Sequence, residues 1–255
     1  MTQPVSPGPI ALFAAMEIEL TGLRRHLTPE TSSDDGPGVS RGRIAGKQVV
    51  LVETGVGPER AHAVAEAICR RCRPAAAISL GFAGALRPEL RAGDLVLTGA
   101  VCRPVGAGAP NAGALERIPA DPALMSAATR AAAQANLPWR QGDSLTVAEP
   151  LVDAAAKRRA ADQFPVDIVE MESYAIAGAA AGHSVPFIAL RVISDTAEES
   201  IEGFAELAAP KGRGRAMLRL LSNPGRARAG ARLGLNVLRA RKTLTAAALG
   251  LVELL

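Results

Sequence analysis

Apolar runs alternate along the chain with stretches of helical spacing. Strands are predicted at the apolar runs "IALFAAME", "QVVLVE", "AAAISLGFAGAL", "GDLVLTGAVCRPV", "DSLTVAEPLV", "DIVEMES" and "VPFIALRVISD". Helices are predicted at residues 18–27, 121–136 and 153–163, between Pro58 and Pro74, and in the Ala-rich run that ends at Gly182. This alternation predicts an α/β layered domain with a largely parallel core sheet.

Polar residues follow three of the predicted strands. Glu17 and Glu19 follow the first strand, a turn with two glycines follows "QVVLVE", and Ser194-Asp195 follows the last strand. In open α/β sheets the ligand crevice lies beyond the carboxyl ends of the strands. These three features therefore predict a site at one edge of the sheet.

The glycine turn "TGVGPER" leads from a strand into a helix, so its backbone amides could bind an anion. It matches neither the Walker loop nor the dinucleotide fingerprint, because Glu59 and Arg60 occupy the wrong positions. An anion site and an ordinary tight turn both remain open.

Composition narrows the class of protein. The chain is 48% apolar and 21% charged, which predicts a folded core and excludes global disorder. No transmembrane run or secretory leader is visible, and three cysteines are too few for a disulfide framework, so a cytoplasmic location is predicted. Cys69 and Cys72 have metal-ligand spacing, but they lie within a predicted helix without a second pair. We therefore expect no metal and no cofactor.

Charge is distributed unevenly. Residues 211–255 carry ten Lys or Arg and one acid, a net charge of +9, whereas the rest carries a net charge of −5. The basic end mixes arginines with Leu and Val, and Asn223-Pro224-Gly225 divides it into two predicted helical pieces. We expect a domain over residues 1–210 and a basic amphipathic extension over residues 211–255. Basic residues do not alternate with aromatic ones, so no nucleic-acid partner is expected.

Carboxylates are the strongest candidates for chemistry. Asp195 ends an otherwise apolar strand in which Arg191 is the only other charge, and a lone, desolvated carboxyl there would suit a general acid. A helix cap by Ser194 and Asp195 is the alternative. Glu170 and Glu172 share one face if "VEMES" is extended, and they diverge if a helix has begun at Glu172.

Five segments in this order and spacing resemble the nucleoside phosphorylase/nucleosidase superfamily, and most of all its methylthioadenosine/S-adenosylhomocysteine nucleosidase branch. The segments span residues 9–210 and read "AAMEIEL", "ETGVGPERA", "SLGFAGAL…LRAGDLVL", "VEMESYAIA" and "VPFIALRVISDTAEE". The resemblance implies a three-layer α/β/α domain with a mixed central sheet. It also implies a homo-oligomer, with a dimer favoured, and cleavage of the N-glycosidic bond of a purine nucleoside.

The resemblance assigns roles to matching residues. Asp195, assisted by Ser194, would protonate the purine, and Glu19 would activate the attacking water. Glu172 would bind the ribose hydroxyls with Met171 packing on the sugar. Glu170 is a weaker candidate for a substrate contact, and support of the turn geometry is its alternative role. Further substrate contacts fall on Met16, Phe82, Ala83, Gly84, Leu151 and Val152.

Two departures from the family pattern make the expected pocket more apolar. Phe82 replaces a small hydroxyl residue near the nucleophile, and Leu151 replaces the aromatic residue that stacks on the base. Glu19 favours hydrolysis. Phosphate as a co-substrate stays open, because Arg24, Arg43 and Arg87 are expected on loops near the first motifs.

The basic extension resembles that of the hopanoid-associated phosphorylase group, which implies cleavage of adenosylhopane to ribosylhopane and adenine. A helix with Leu on one side and Arg on the other suits an anionic membrane surface. Packing on the body or on a partner subunit, and charge kept for solubility, are the alternatives. Methylthioadenosine-type nucleosides remain the second substrate class, and a non-catalytic membrane-binding protein on this fold is the non-enzymatic alternative.

Overall fold

A computed structural model describes residues 8–30, 36–105, 114–201 and 224–255 of the chain. Ten strands pair into one mixed sheet within these ranges. The strands are β1 (Ile10–Ala14), β2 (Thr28–Pro29), β3 (Val39–Ile44), β4 (Lys47–Glu53), β5 (Ala76–Ala85), β6 (Leu95–Pro104), β7 (Leu115–Pro119), β8 (Trp139–Thr146), β9 (Ile168–Glu170) and β10 (Phe187–Asp195).

The described helices connect these strands. They are α1 (Glu17–Arg24), α2 (Pro58–Cys72), α3 (Pro122–Gln134), α4 (Ala154–Gln163), α5 (Ser173–Gly182) and α6 (Pro224–Leu254). Helix α2 begins at a proline, where the missing N–H costs nothing, and it ends two residues before Pro74 as predicted. Asp121 caps α3 by accepting hydrogen bonds from the Ala123 and Leu124 amides.

Part of the sheet closes on itself. The strand order is β2-β3-β4-β1-β5-β10-β6-β8-β9, and β9 pairs back with the end of β5, where Gly84 lies opposite Val169. The pairs β1–β4, β1–β5, β5–β10, β6–β8 and β8–β9 are parallel, whereas β6–β10 and β5–β9 are antiparallel. The sheet is therefore mixed, as the family resemblance implied, and five of these seven pairings are parallel, in agreement with the largely parallel core that the strand pattern predicted.

Helices cover both faces of the sheet. Leu12 and Ala14 of β1 point into a core shared with α1, α3 and α6, and Ala11 and Phe13 point into a second core shared with α2 and α5. This alternation follows from the two-residue period of a strand. Three layers with a central mixed sheet confirm the predicted fold class.

Helix α6 belongs to the first core. Ala240, Leu244, Ala247 and Leu251 are at most 2% exposed, and the helix contacts α1, α3 and β10. The predicted division at residue 210 and the first predicted helical piece of the extension lie outside the described residues. From Asn236 onward, the basic end packs on the body, which was one of the three alternatives. Within the described residues, no helix combines the length and apolar character needed to cross a membrane.

Candidate active site

A cavity of about 480 Å³ lies beyond the carboxyl ends of β1, β5, β8, β9 and β10. Its wall includes the ends of all three predicted features: residues after β1, the turn before α2, and the end of β10. The lining residues are Ala15, Met16, Glu19, Val56, Arg60, Phe82, Ala83, Gly84, Val147, Pro150, Leu151, Val169, Glu170, Met171, Glu172, Ser194, Asp195, Ile201 and Val237. The predicted edge of the sheet is therefore where the cavity forms.

Glu19 is held by two backbone amides. Its Oε2 accepts a hydrogen bond from the Met16 N–H at 2.9 Å, and its Oε1 accepts one from the Phe82 N–H at 2.9 Å. The residue is 3% exposed, and burial raises the pKa of its carboxyl above the ordinary value, against the opposing charge of Arg191. A buried carboxyl with a raised pKa is suited to accept a proton near neutral pH.

Glu170 organises the turn between β9 and α5. Its Oε2 accepts hydrogen bonds from the amides of Glu172 (3.0 Å) and Ser173 (2.7 Å) and from Arg191 Nη2 (2.9 Å), and its Oε1 accepts one from the Thr146 hydroxyl. Glu170 lines the cavity, but both of its oxygens bind within the protein. Its role in turn geometry, which the sequence suggested, is therefore visible in its contacts.

Glu172 faces the glycine turn. It directly precedes α5 with φ −128° and ψ −29°, and its Oε1 accepts a hydrogen bond from the Gly57 N–H at 2.8 Å. Gly57 has φ +104°, a conformation that favours glycine, and this points its amide at the carboxylate. In this structure the Gly57 amide of the "TGVGPER" turn thus binds the protein's own glutamate. Burial, and then the charge of Glu170, raise the pKa of Glu172 to about 7.

Asp195 is not the lone carboxylate that the sequence suggested. Its Oδ2 accepts a hydrogen bond from Lys157 Nζ of α4, and its Oδ1 accepts one from the Ser194 hydroxyl at 2.6 Å. Both members of the Asp195–Lys157 ion pair are buried, with side chains 4% and 1% exposed. A buried charge needs such a partner, because an unpaired one would carry the full cost of desolvation.

The structure brings most of the predicted apolar contacts to the same cavity. Met16, Met171, Leu151 and the β5 segment from Phe82 to Gly84 all line it. Val152 is not among the lining residues, contrary to the prediction. Its carbonyl instead accepts hydrogen bonds from the Ile201 amide (2.8 Å) and the Ser200 hydroxyl (3.0 Å), and Ile201 itself lines the cavity.

The three arginines considered for phosphate do not line the cavity. Arg24 lies in the last turn of α1, where it pairs with Glu17, and Arg43 of β3 donates to the Gly46 carbonyl. Arg87 pairs with Asp167 at 3.6 Å. The expectation that they lie on loops near the first motifs is therefore wrong for Arg24 and Arg43, which belong to a helix and a strand.

Sequence reasoning missed two buried cations. Arg191 is 2% exposed and donates to Ser79, Glu170 and Ser173 through Nη2, while its Nε and Nη1 have no hydrogen-bond partner among the residues that the structure describes. A lone arginine in an apolar strand was its signal. Lys157 had no comparable signal, because it is one of three consecutive basic residues in a polar helix.

The fold matches that of several nucleosidases. The 5′-methylthioadenosine/S-adenosylhomocysteine nucleosidase from Neisseria meningitidis, in complex with methylthio-immucillin-A, is 23% identical, with a TM-score of 0.77 over 97% of this chain and 100% of that one. The corresponding enzyme from Colwellia psychrerythraea, in complex with adenine, is 21% identical, with a TM-score of 0.79 over 98% and 96%. The futalosine hydrolase of Helicobacter pylori is 18% identical, with a TM-score of 0.71 over 94% and 97%.

A family model gives the assignment that these structural likenesses alone do not. The model of the phosphorylase superfamily matches residues 9–221, which includes every strand described above. The chain therefore belongs to the phosphorylase superfamily.

Proposed function

We propose that this protein hydrolyses the N-glycosidic bond of an adenine nucleoside and releases adenine. The carrying observation is the convergence of Glu19, Glu172 and Asp195 on one cavity, where each carboxylate is buried and held by a different set of partners. The reaction needs a base for water, an anion near a ribosyl cation, and an acid for the departing purine. Nucleosidases of the same fold, crystallised with adenine or with methylthio-immucillin-A, support this choice.

Glu19 is the candidate base for the attacking water. The Met16 and Phe82 amides each donate to a different oxygen of its carboxyl and fix its orientation, and burial raises its pKa, which favours uptake of a proton. Arg24, Arg43 and Arg87, the arginines considered for phosphate, lie elsewhere in the fold, so none of these three provides a phosphate site beside Glu19. We therefore favour hydrolysis over phosphorolysis.

Glu172 is the candidate ribose ligand. The Gly57 amide fixes one of its oxygens, and the other, which has no hydrogen bond from the described residues, is available to accept one from a sugar hydroxyl. Glu170 and Arg191 hold the backbone on which Glu172 sits, so its carboxylate is preorganised. In its ionised form, this fixed carboxylate next to the ribose stabilises the positive charge that develops as the base leaves.

Asp195 is the candidate acid for the departing base, with Ser194 as its assistant. Ser194 donates to Asp195 at 2.6 Å and lies 3.3 Å from the Ala83 carbonyl, so its hydroxyl is set at the edge of the base pocket. Phe82 and Leu151 provide apolar walls for the purine.

We extend the proposal to the 5′ substituent, with adenosylhopane as the leading substrate and methylthioadenosine-type nucleosides as the second. Pro150, Leu151, Ile201 and Val237 give the cavity an apolar flank, and Val237 comes from α6. Among the described residues, this flank offers apolar side chains to a polycyclic hydrocarbon on the ribose. A smaller methylthio group would fit the same flank, so substrate comparison has to decide between them.

Release of adenine tests the proposal directly. Purified protein is incubated with adenosylhopane, methylthioadenosine and S-adenosylhomocysteine, each with and without phosphate, and free adenine is measured. We expect release without phosphate, fastest from adenosylhopane. No release from any nucleoside would contradict catalysis, and release that requires phosphate would contradict the role of Glu19.

Peripheral membrane contact through α6 is the corresponding proposal for the basic end. Leu235 and Leu238 are 59% and 45% exposed on the helix that supplies Val237, and Arg239 and Lys242 are exposed beside them. Because α6 belongs to the core, truncation at residue 210 would confound the test. The better comparison is co-sedimentation of wild type and a Leu235→Glu/Leu238→Glu variant with anionic liposomes. Equal binding would remove this role, and light scattering of the same samples would test the predicted dimer.

A further inference from the structure

Lys157 uses all three of its ammonium protons on the segment that carries Asp195. Nζ donates to Asp195 Oδ2, to the Thr196 carbonyl at 2.7 Å and to the Glu199 carbonyl at 2.9 Å. An ammonium group has three donors, so this set is complete. The side chain is 1% exposed, so water does not share in its solvation.

The three acceptors are not equivalent. Thr196 and Glu199 contribute neutral backbone carbonyls, and Asp195 contributes the only charged group. Asp195 in turn is held on both oxygens, by Lys157 on Oδ2 and by Ser194 on Oδ1. The orientation of the candidate acid therefore depends on a residue from a helix that otherwise does not line the cavity.

We propose that Lys157 is a positioning residue that orients Asp195 and stabilises the carboxylate that Asp195 becomes when it protonates the leaving base. This inference rests on the function proposed above. Asp195, which is ionised beside Lys157 in this structure, takes up a proton from solvent before the step. As the bond between the ribose carbon and the base nitrogen breaks, its electron pair stays with the base, and this proton moves from Asp195 to a base nitrogen. Water adds to the ribosyl carbon and gives its proton to Glu19.

Negative charge thus develops on Asp195 during the step, next to a fixed ammonium. Charge stabilisation by a group already in place requires no reorganisation and is worth more in a buried site than in water. The Glu199 side chain also binds Arg232 of α6 at 3.0 Å, so Lys157 further ties the acid to the loop that leads to Ile201. The alternative is a purely structural role, in which Lys157 only holds this loop in place. The experiment has to distinguish that role from an effect on Asp195.

A double-mutant cycle separates the two roles. Single-turnover adenine release is measured for wild type, Lys157→Met, Asp195→Asn and the double variant. If Lys157 acts through Asp195, each single change slows release by roughly a hundredfold or more, the scale of lost general-acid catalysis. The double variant should then lie within about threefold of the slower single variant, because residues that act as a unit are not additive.

Controls protect the test against misfolding. Arg158→Met removes an exposed cation from the same helix and should leave the rate within about twofold, as expected of a surface change. Lys157→Gln keeps a hydrogen-bond donor without the charge and replaces Lys157→Met in the cycle if the latter does not fold. Circular dichroism and nucleoside affinity, which should change little, identify a variant whose defect is structural.

The outcomes are distinct. An inactive wild type contradicts the proposed function itself. If wild type is active, either of two results overturns the inference. In the first, Lys157→Met and Lys157→Gln release adenine within about threefold of the wild-type rate. In the second, the loss of rate in the double variant equals the product of the losses in the two single variants.

Discussion

Replacing Glu172 by Gln should stabilise the protein at alkaline pH while weakening catalysis. Glu172 is 8% exposed, and burial together with the charge of Glu170 raises its pKa from an ordinary 4.5 to about 7. Between about pH 4.5 and 7 the folded state therefore holds a proton that the unfolded state has released. Gln keeps the acceptor for the Gly57 amide but cannot ionise, so it removes this pH-dependent cost.

The magnitude follows from the two pKa values. Below about pH 4.5 both states of wild type are protonated, and Glu172 adds no pH dependence. Between about pH 4.5 and 7 the unfolded state loses the proton first, so wild type loses stability as pH rises. Above about pH 7 the full cost applies, and at ~1.4 kcal/mol per tenfold change in proton affinity it amounts to about 3 kcal/mol. At pH 5 the same calculation gives less than ~1 kcal/mol.

Thermal melting of both proteins from pH 5 to 8 measures this cost. The melting temperature of the variant should rise relative to that of wild type as pH increases, and the difference should reach roughly 6–12 °C at pH 8 for a chain of this size. Glu19 also has a raised pKa, but it is present in both proteins and cancels in the difference. Glu59→Gln, which changes an exposed carboxylate in the first turn of α2, should show no such trend. If the melting temperatures of wild type and Glu172→Gln change with pH by the same amount, the reasoning is refuted.

Three further changes test the site and the core. Asp195→Asn should preserve the circular dichroism spectrum and lower turnover by roughly a hundredfold, and near wild-type turnover would show that another group protonates the base. Gly81→Ala would place a Cβ 2.5 Å from Arg191 Nη1 and 2.8 Å from Glu19 Oε1, and the resulting misplacement should cost about a hundredfold in kcat, measured by adenine release. Leu251→Ala in α6 should lower the free energy of unfolding by about 2–5 kcal/mol, against less than ~0.5 kcal/mol for the exposed Leu238→Ala, as measured by urea denaturation.

Hydrophobic periodicity predicted most of the elements because most strands here are buried on both faces. The exceptions are β2, β3 and β7, none of which the apolar pattern predicted. Among the described strands, β7 pairs with β6 alone, and it reads "LERIP". Glu116 and Arg117 are exposed on this strand, so it lacks an apolar signal. The strand predicted through "DSLTVAEPLV" ends at Thr146, because the following residues leave the sheet and line the cavity.

The candidate site was predictable where function falls on strand ends. Glu19, Glu172 and Asp195 lie at or just after such ends, and the topology brings strand ends together. Their partners were not predictable by the same rule. Lys157 reaches Asp195 across 38 positions of the chain, and Gly57 reaches Glu172 across 115. Such contacts depend on how a helix or a turn packs on the sheet, which no local pattern specifies.

The basic end shows why amphipathic spacing alone does not distinguish packing on protein from contact with a membrane. Both require apolar residues on one face of a helix. In this protein the small size of those residues favours packing on protein over contact with a membrane. Ala240, Ala247 and Ala248 allow α6 to approach the body closely. A Cβ on Gly22 of α1 would lie 2.0 Å from the Thr245 hydroxyl oxygen, and one on Gly250 of α6 would lie 3.3 Å from Ala131 of α3. Contacts this close are formed between helices in a packed interior, so the buried face of α6 is accounted for by the core. Among the described residues, Leu235 and Leu238 are therefore the apolar side chains of α6 on which a membrane role has to rest.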